Sequence, residues 1–227
     1  DMQLDKIRFE ITTDESGFKY KGQIKNNKNN PQYTFNALFD GSLFETGSNV
    51  NLALYDDKDR LGLKMGVKAM LEPRGIRVML SEPNIVLGYR KFRANEDNYI
   101  YLADNNRISA SMQLKAEDNT GLQLFSNDEN IDALQDLTIG VHNLDLSSIT
   151  GIIPYFPDVK GIMNGDFHYI KTEKETSVSS SLGVNGMIYN GYRMGDLSSE
   201  FVYMPLEDGG HYVDGILMHN GNDIGTI

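Results

Sequence analysis

Cysteine and tryptophan are absent from this 227-residue chain, and it contains only six prolines and four histidines. Without cysteine there is no disulfide framework and no thiolate chemistry. No run approaches the roughly 18 consecutive apolar residues of a membrane-spanning helix. The first residues, DMQLDKIRFE, lack the regions of a signal peptide. Since a new segment, NDIGTI, has barely begun when the sequence stops, we expect the chain to be a piece of a longer protein, so these absences say little about its compartment.

Basic residues are scarce compared with acidic ones. The chain has 21 Lys and Arg against 32 Asp and Glu, which gives a formal net charge of -11. Proteins that bind nucleic acid neutralise phosphates with clustered Lys and Arg. The acidic balance therefore argues against a nucleic-acid partner and against attraction to an anionic membrane surface.

Catalytic motifs are also missing, since neither G-x-S-x-G nor H-E-x-x-H occurs in the sequence. The histidines are His142, His168, His211 and His219. The last two share a predicted strand face but lie about 26 Å apart along an extended strand, too far to hold one metal ion. The sequence predicts no enzyme and no cofactor.

Paired acidic residues fall at or beside predicted turns, where Asp is favoured for its local hydrogen bonds. A weak calcium site at Asp56, Asp57 and Asp59 stays open as an alternative, although the EF-hand spacing D-x-D-x-D-G is absent. The prediction for these positions is turn structure with no metal.

Alternation of apolar and polar residues is the dominant pattern of the chain and is typical of β-strands with one buried face. It is longest in LGLKMGVKAML, residues 61–71, and it recurs in IRVML and in RISASMQLKAE. Short turn signals such as EPRG and DNTG separate these segments. The pattern predicts an all-β fold, a long antiparallel meander with one apolar face.

An apolar sheet face must be covered by a second sheet, by helices or by something that is not protein. Helical signals are confined to Leu144–Pro157 and, more weakly, to NDENIDALQDL, so we expect one or two short helices. Two architectures remain: a closed sandwich, or a sheet curved into an open, taco-like trough. We favour the trough.

The segment LDLSSITGIIPYFPDVKGIMNG interrupts the alternation. Asp145 or Ser147 can cap a short helix that Pro154 stops. We expect residues 144–160 to form an apolar plug on the sheet, between a meander over 1–143 and further strands of the same sheet over 161–227. An ordinary buried linker is the alternative. Gly161 and Gly165 predict a bulge or a close backbone approach.

The chain from DLTIGVHNLDLSSITGIIPYFPDVKGIMNGDFHYI to SSSLGVNGMIYNGYRMGDLSSEFVYMP resembles the translocation-and-assembly-module TamB proteins and the related AsmA-like proteins. In that pattern a strand leads into an apolar segment near a proline, followed by G-x-x-x-G-D and a later G-D-L. Here these elements are Leu144 to Pro157, then Gly161, Gly165 and Asp166, then Gly195, Asp196 and Leu197. The resemblance covers about the last third of the chain.

The resemblance implies a protein of the cell envelope, anchored in the inner membrane and extending through the periplasm. It also implies a long β-sheet with an apolar groove, outer-membrane protein assembly or phospholipid transport between membranes, and two partners: phospholipid acyl chains and an outer-membrane barrel assembly protein. On this interpretation the groove-lining candidates are Leu61, Leu63, Met65, Val67, Leu71, Ile76, Val78, Ile108, Met112, Leu114, Ile149, Ile152, Ile153 and Phe156.

The competing hypothesis is a closed β-sandwich that acts as a surface adhesin or carbohydrate-binding module. Tyr99 and Tyr101 share a predicted strand face and could form an aromatic platform for sugar. A structural spacer is a third alternative. An open trough would expose a large apolar patch, so we also expect the isolated chain to dimerise.

Overall fold

The computed structural model describes residues 4–15, 17–26, 35–82, 84–153, 156–206 and 208–227. Within these ranges the chain forms seventeen strands and one short helix, and those strands belong to a single antiparallel sheet. The all-β prediction and the long antiparallel meander are confirmed. The elements are β1 (Leu4–Asp14), β2 (Gly17–Asn26), β3 (Asn36–Phe44), β4 (Gly47–Tyr55), β5 (Leu61–Glu72), β6 (Gly75–Leu80), β7 (Asn84–Leu87), β8 (Arg90–Ala94), β9 (Tyr99–Ala103), β10 (Ile108–Ala116), β11 (Gly121–Ser126), β12 (Gln135–Asp145), α1 (Leu146–Thr150), β13 (Val159–Lys171), β14 (Thr176–Tyr189), β15 (Tyr192–Pro205), β16 (His211–His219) and β17 (Asn222–Thr226).

The strands pair in chain order except near the middle of the sheet. There β5 pairs with β6 along one half and with β7 along the other. β10 likewise pairs with β9 along one half and with β8 along the other. Between β5 and β10, β6 pairs with β9 and β7 pairs with β8. Two short strands laid end to end thus take the place of one long strand in each of two successive rows.

Tight turns hold the last hairpins in register. Asn190 and Gly191 connect β14 to β15, and Asn220 and Gly221 connect β16 to β17, all four with positive φ. Two successive residues of positive φ match the right-handed twist of the flanking strands, and Asn-Gly is the pair that adopts them most readily. The Asn220-Gly221 pair therefore forms the turn that its own sequence favours.

Gly161 marks a bulge in β13, as predicted. The pairing of β13 with β14 shifts between Lys160 and Ile162, and the φ of Gly161 is +133°, which disfavours a side chain there. At Gly165 a side chain would approach the carbonyl oxygen of Ser181 to 2.8 Å. The close backbone approach predicted for this pair of glycines is therefore present as well.

Cross-strand pairing assigns almost every strand residue to one of two faces, because directly opposed residues lie on the same side of a sheet. We call the side that carries Leu63, Met65 and Val67 the apolar face, and the opposite side the polar face. From β5 the register extends the apolar face in one direction through Leu52 and Phe39, and in the other through Val78. The polar face carries mainly Lys, Arg, Asn, Ser and acidic side chains.

Buried apolar side chains are few. Among the described residues they are Ala37, Ile85, Phe92, Ala110, Ala116, Ala133 and Ile152. The accessible surface is 14457 Å², whereas a compact globular protein of this mass exposes about 10,400 Å². The sheet therefore leaves far more surface uncovered than a globular core would.

Helix α1 begins as expected, since Asp145 is its N-cap and accepts a hydrogen bond from the backbone N–H of Ser147. The weaker helical prediction over NDENIDALQDL is wrong, because residues 128–134 form turns and Gln135 already begins β12. The side-chain amides of Asn127 and Asn130 donate hydrogen bonds to the carboxylate of Asp136. From Gln135 onward the backbone pairs with neighbouring strands and does not form a helix. Pro154, the predicted helix stop, lies outside the described residues.

Candidate functional site: the apolar face of the sheet

The predicted groove-lining residues of the strands lie together on the apolar face, with one exception. Val67 opposes Leu80 and Leu71 opposes Ile76, which joins β5 to β6. From β6 the face continues through β9 into β10, where Ile108, Met112 and Leu114 lie on it. The residues placed on this face are Leu63, Met65, Val67, Leu71, Ile76, Val78, Ile108, Met112 and Leu114.

Leu61 is the exception. Leu63 opposes Leu54, but the register then shifts and Leu61 opposes Tyr55, the next residue of β4. The extra residue in the bulge is Gly62. Leu61 consequently lies on the polar face, and strict alternation along β5 gave the wrong side for it.

The apolar face extends well beyond the predicted residues. Toward the first strands, register carries it to Leu43 and Phe18 and on to Ile7, Phe9 and Ile11. Toward the last strands it continues through β11 and β12 to β16. The large apolar side chains on that side include Leu124, Ile139, Phe167, Leu182, Phe201 and Leu217.

Alternation within KIRFEI and FKYKGQIK was a usable signal for the first strands. It could not assign the two segments to the same face as β5, because that assignment depends on cross-strand register.

Many of these side chains are open to solvent. Phe9, Leu43 and Leu71 are each more than half exposed, at 56%, 51% and 59%. Soluble monomers rarely leave apolar patches larger than a few hundred Å² uncovered. The apolar face is therefore a candidate binding surface.

The segment that follows β12 packs against the sheet at the end where Gly62 lies. A side chain at Gly62 would overlap the Cγ2 atom of Ile152, and one at Gly88 would approach the hydroxyl of Ser148 to 2.5 Å. Ile152 is buried, whereas Ile153 and Phe156 are 42% and 47% exposed. Ile149 is half-buried. Of the four residues predicted for the plug, Ile152 is the one that closes against the sheet.

This contact constrains the shape of the sheet. Five strand spacings separate β5 from β12, or about 24 Å in a flat sheet. From Asp145 the chain reaches Ile152 through one five-residue helix and a further turn in which the N–H of Ile152 donates to the carbonyl oxygen of Ile149. This is a span of about 16 Å including the side chain, and the contact with Gly62 adds about 4 Å. The sheet is therefore bent between β5 and β12.

A polar network ties the same end together. The hydroxyl of Thr120 accepts a hydrogen bond from Arg90 at 2.6 Å and donates one to the carbonyl oxygen of Asn143 at 3.1 Å. Thr120 is completely buried. One side chain from the β10–β11 turn thus links β8 to β12 and supports the bend.

Tyr99 and Tyr101, proposed above as a sugar platform, lie on the polar face, opposite Ser111 and Ser109. The guanidinium of Arg77 lies 4.7 Å from the Tyr99 ring centroid and 5.2 Å from that of Tyr101. Arg77 itself is held by Glu72. A cation already occupies ring surface that a sugar would need, so the geometry does not favour the carbohydrate alternative.

Asp56 is the first residue of the calcium site considered above, and its carboxylate is engaged by donors from the protein itself. Its carboxylate accepts hydrogen bonds from the backbone of Lys58 and Arg60, from the Arg60 side chain and from the hydroxyl of Tyr89. Burial of this carboxyl opposes ionisation, but the hydrogen bonds from Arg60 and Lys58 outweigh it and lower its pKa. Within the described part of the chain, no three His, Asp or Glu side chains come together as metal ligands.

The four histidines stay apart from one another. His168 lies 2.8 Å from the buried Asp136, and His211 stacks on Tyr203.

No helix among the described residues has the length and apolar character of a membrane span.

Comparison of the chain with protein-family models, with curated proteins and with solved structures found no match.

Proposed function

We propose that this chain is a non-enzymatic segment of a cell-envelope protein, and that its apolar face forms a trough that holds phospholipid acyl chains. The observation that carries the proposal is the continuity of the face: register links exposed apolar side chains from Ile7 in β1 to Leu217 in β16. Acyl chains would cover the surface that protein leaves bare. Their transfer out of water contributes about 2.5 kcal/mol for each 100 Å² of apolar area buried.

The bend between β5 and β12 supports the trough. A sheet that curves toward its apolar side encloses an acyl chain on several sides, while the polar face stays in water. Ile152 and α1 would then close one end of the trough, as a plug.

The resemblance to TamB and AsmA-like proteins gives the proposal its cellular setting. On this basis the parent protein is anchored in the inner membrane and crosses the periplasm. It would move phospholipid between the membranes or assist outer-membrane protein assembly together with a barrel assembly protein. Gly161, Gly165 and Asp196 lie at bulges or close approaches of the sheet, which suits a structural role for these motif positions.

The experiment is native mass spectrometry of the purified chain, with organic extraction of whatever it carries. The test variant is Leu43→Asp with Leu71→Asp, two exposed positions on the apolar face. The control is Leu38→Asp with Met204→Asp, two exposed apolar positions on the polar face, at 37% and 42%. Leu43 of the test variant and Leu38 of the control lie on the same strand, β3, so these two substitutions differ in the face of the sheet that they alter.

We expect phospholipid in reproducible stoichiometry on the unmodified chain and on the control, and loss of most of it from the test variant. Circular dichroism should show the same strand content in all three. Equal lipid on both variants, or an unmodified chain that carries no lipid and binds none from vesicles, would contradict the proposal.

A further inference from the structure

Positive charge is concentrated in one part of this acidic chain. Residues 58–115 contain 11 of the 21 Lys and Arg but only 6 of the 32 Asp and Glu. The net charge of -11 thus hides a basic region, which the total composition could not reveal.

Register gathers four of these cations on the polar face. Lys64 of β5 opposes Val86, and Val86 opposes Lys91 of β8. Two residues further along β8, Arg93 opposes Lys115 of β10. The four side chains come from three strand rows and surround a single area, which we call the basic patch.

The basic patch is poorly neutralised. Lys64 pairs with Glu82 at 2.9 Å. In the described portion of the chain, Lys91, Arg93 and Lys115 form no ion pair. Like charges placed directly opposite each other, as Arg93 and Lys115 are, destabilise a sheet.

The patch borders a concavity with apolar walls. Its volume is about 700 Å³. The residues that line it are the four cations, the polar Asn84 and Glu117, and the apolar Leu61, Val86, Phe92 and Ala116. This volume lies within the range of small-molecule binding sites. Leu61 faces this concavity because of the bulge at Gly62, so the residue that left the apolar face supplies apolar surface here.

We propose that the basic patch binds an anionic amphiphile, a single-chain molecule with a phosphate or carboxylate head group. The head group lies between Arg93 and Lys115, where an anion relieves their repulsion, and Lys91 adds a third cation. The first carbons of the chain contact Leu61 and Val86. Glu117, which also lines the concavity, disfavours a second negative group. The site lies on the face opposite the proposed acyl-chain trough and does not depend on it.

The test is isothermal titration calorimetry with dodecyl phosphate below its micelle concentration. The test variant is Arg93→Gln with Lys115→Gln. The control is Lys68→Gln with Arg74→Gln, which removes the same charge from the same basic region outside the concavity. We expect the test variant to bind about tenfold more weakly, since two partly exposed ion pairs are lost, and the control to bind as the unmodified chain does.

Two further ligands separate the sources of affinity. Dodecyl maltoside has the same tail without the charge and should bind the two variants equally. Inorganic phosphate has the charge without the tail and should bind much more weakly than dodecyl phosphate. Equal dodecyl phosphate affinity in the test and control variants would overturn the site. Inorganic phosphate binding as tightly as dodecyl phosphate would overturn the amphiphile. A photoreactive dodecyl phosphate should label peptides that contain Leu61 or Val86, and labelling confined to the apolar face would also overturn it.

Discussion

Ile152 packs directly on Gly62, although 90 positions separate them in the chain and five strand spacings separate β5 from β12 in the sheet. A Cβ atom at Gly62 would lie 3.3 Å from the Cβ of Ile152 and would overlap its Cγ2 methyl. The contact joins the segment after β12 to the first part of β5. It is the point at which the bend of the sheet can be tested directly.

Gly62→Ala should destabilise the protein by about 1–3 kcal/mol, because the added methyl overpacks a buried contact. The measurement is denaturant unfolding followed by circular dichroism. Gly62→Ala combined with Ile152→Ala should recover part of the loss relative to the sum of the single changes. Gly183→Ala is the control, since its nearest neighbours would lie at 3.9 Å and it should change stability little. Strict additivity of Gly62→Ala and Ile152→Ala would contradict the contact.

Thr120→Val should cost about 1–3 kcal/mol, because it leaves the guanidinium of Arg90 and the carbonyl oxygen of Asn143 without the buried hydroxyl that they share. Thr120→Ser keeps the hydroxyl and should retain most of the stability. The two variants can be compared by thermal unfolding. A Val variant as stable as the unmodified protein would contradict this role of the hydroxyl.

Stability should fall in acid partly through Asp136, which is 4% exposed. Burial raises the pKa of this carboxyl, but hydrogen bonds from Asn130 and His168 outweigh the effect and leave it below the ordinary value of 3.8. A lowered folded-state pKa means that the unfolded chain takes up the proton first. The contribution is therefore fully present above about pH 5 and is lost as the pH falls through and below the ordinary value.

Asp136→Asn removes this titration and should flatten the acid limb of the stability curve, at a cost of about 1–3 kcal/mol near pH 7. Unfolding by urea at a series of pH values gives the curve. Asp128→Asn, at an acid 45% exposed and paired with Arg107, is the matched control and should leave both the limb and the stability near neutral pH almost unchanged. An acid limb of unchanged slope in Asp136→Asn would remove Asp136 as its source.

The isolated chain should dimerise through its apolar face when lipid is stripped away. Ile11→Asp, at a position 59% exposed on that face, should shift the chain toward monomer in light scattering after size exclusion. Thr12→Asp places the same charge on the neighbouring residue, which is exposed on the polar face, and should leave the association unchanged. A lipid-free chain that stays monomeric at high concentration would contradict the prediction.

The sequence by itself determined the strands, their turns and their one-sided character, because period-two alternation and Asn-Gly turns are local properties. LGLKMGVKAML forms the long strand that its pattern predicts, and Asp145 caps the helix that follows β12. The helical pattern of NDENIDALQDL gave a wrong prediction, because its last residues belong to β12. Pairing with β11 and β13 satisfies more of their backbone N–H and C=O groups than a short helix would.

Only the tertiary structure decided which strand faces coincide, because that depends on cross-strand register and on single-residue bulges. Register extends the apolar face from β1 to β16, while one extra residue at Gly62 turns Leu61 to the other side. Register also brings Arg93 and Lys115, 22 residues apart, into direct opposition. Each strand has two faces that its own sequence can describe, but hydrogen bonds between strands set which of them share a side.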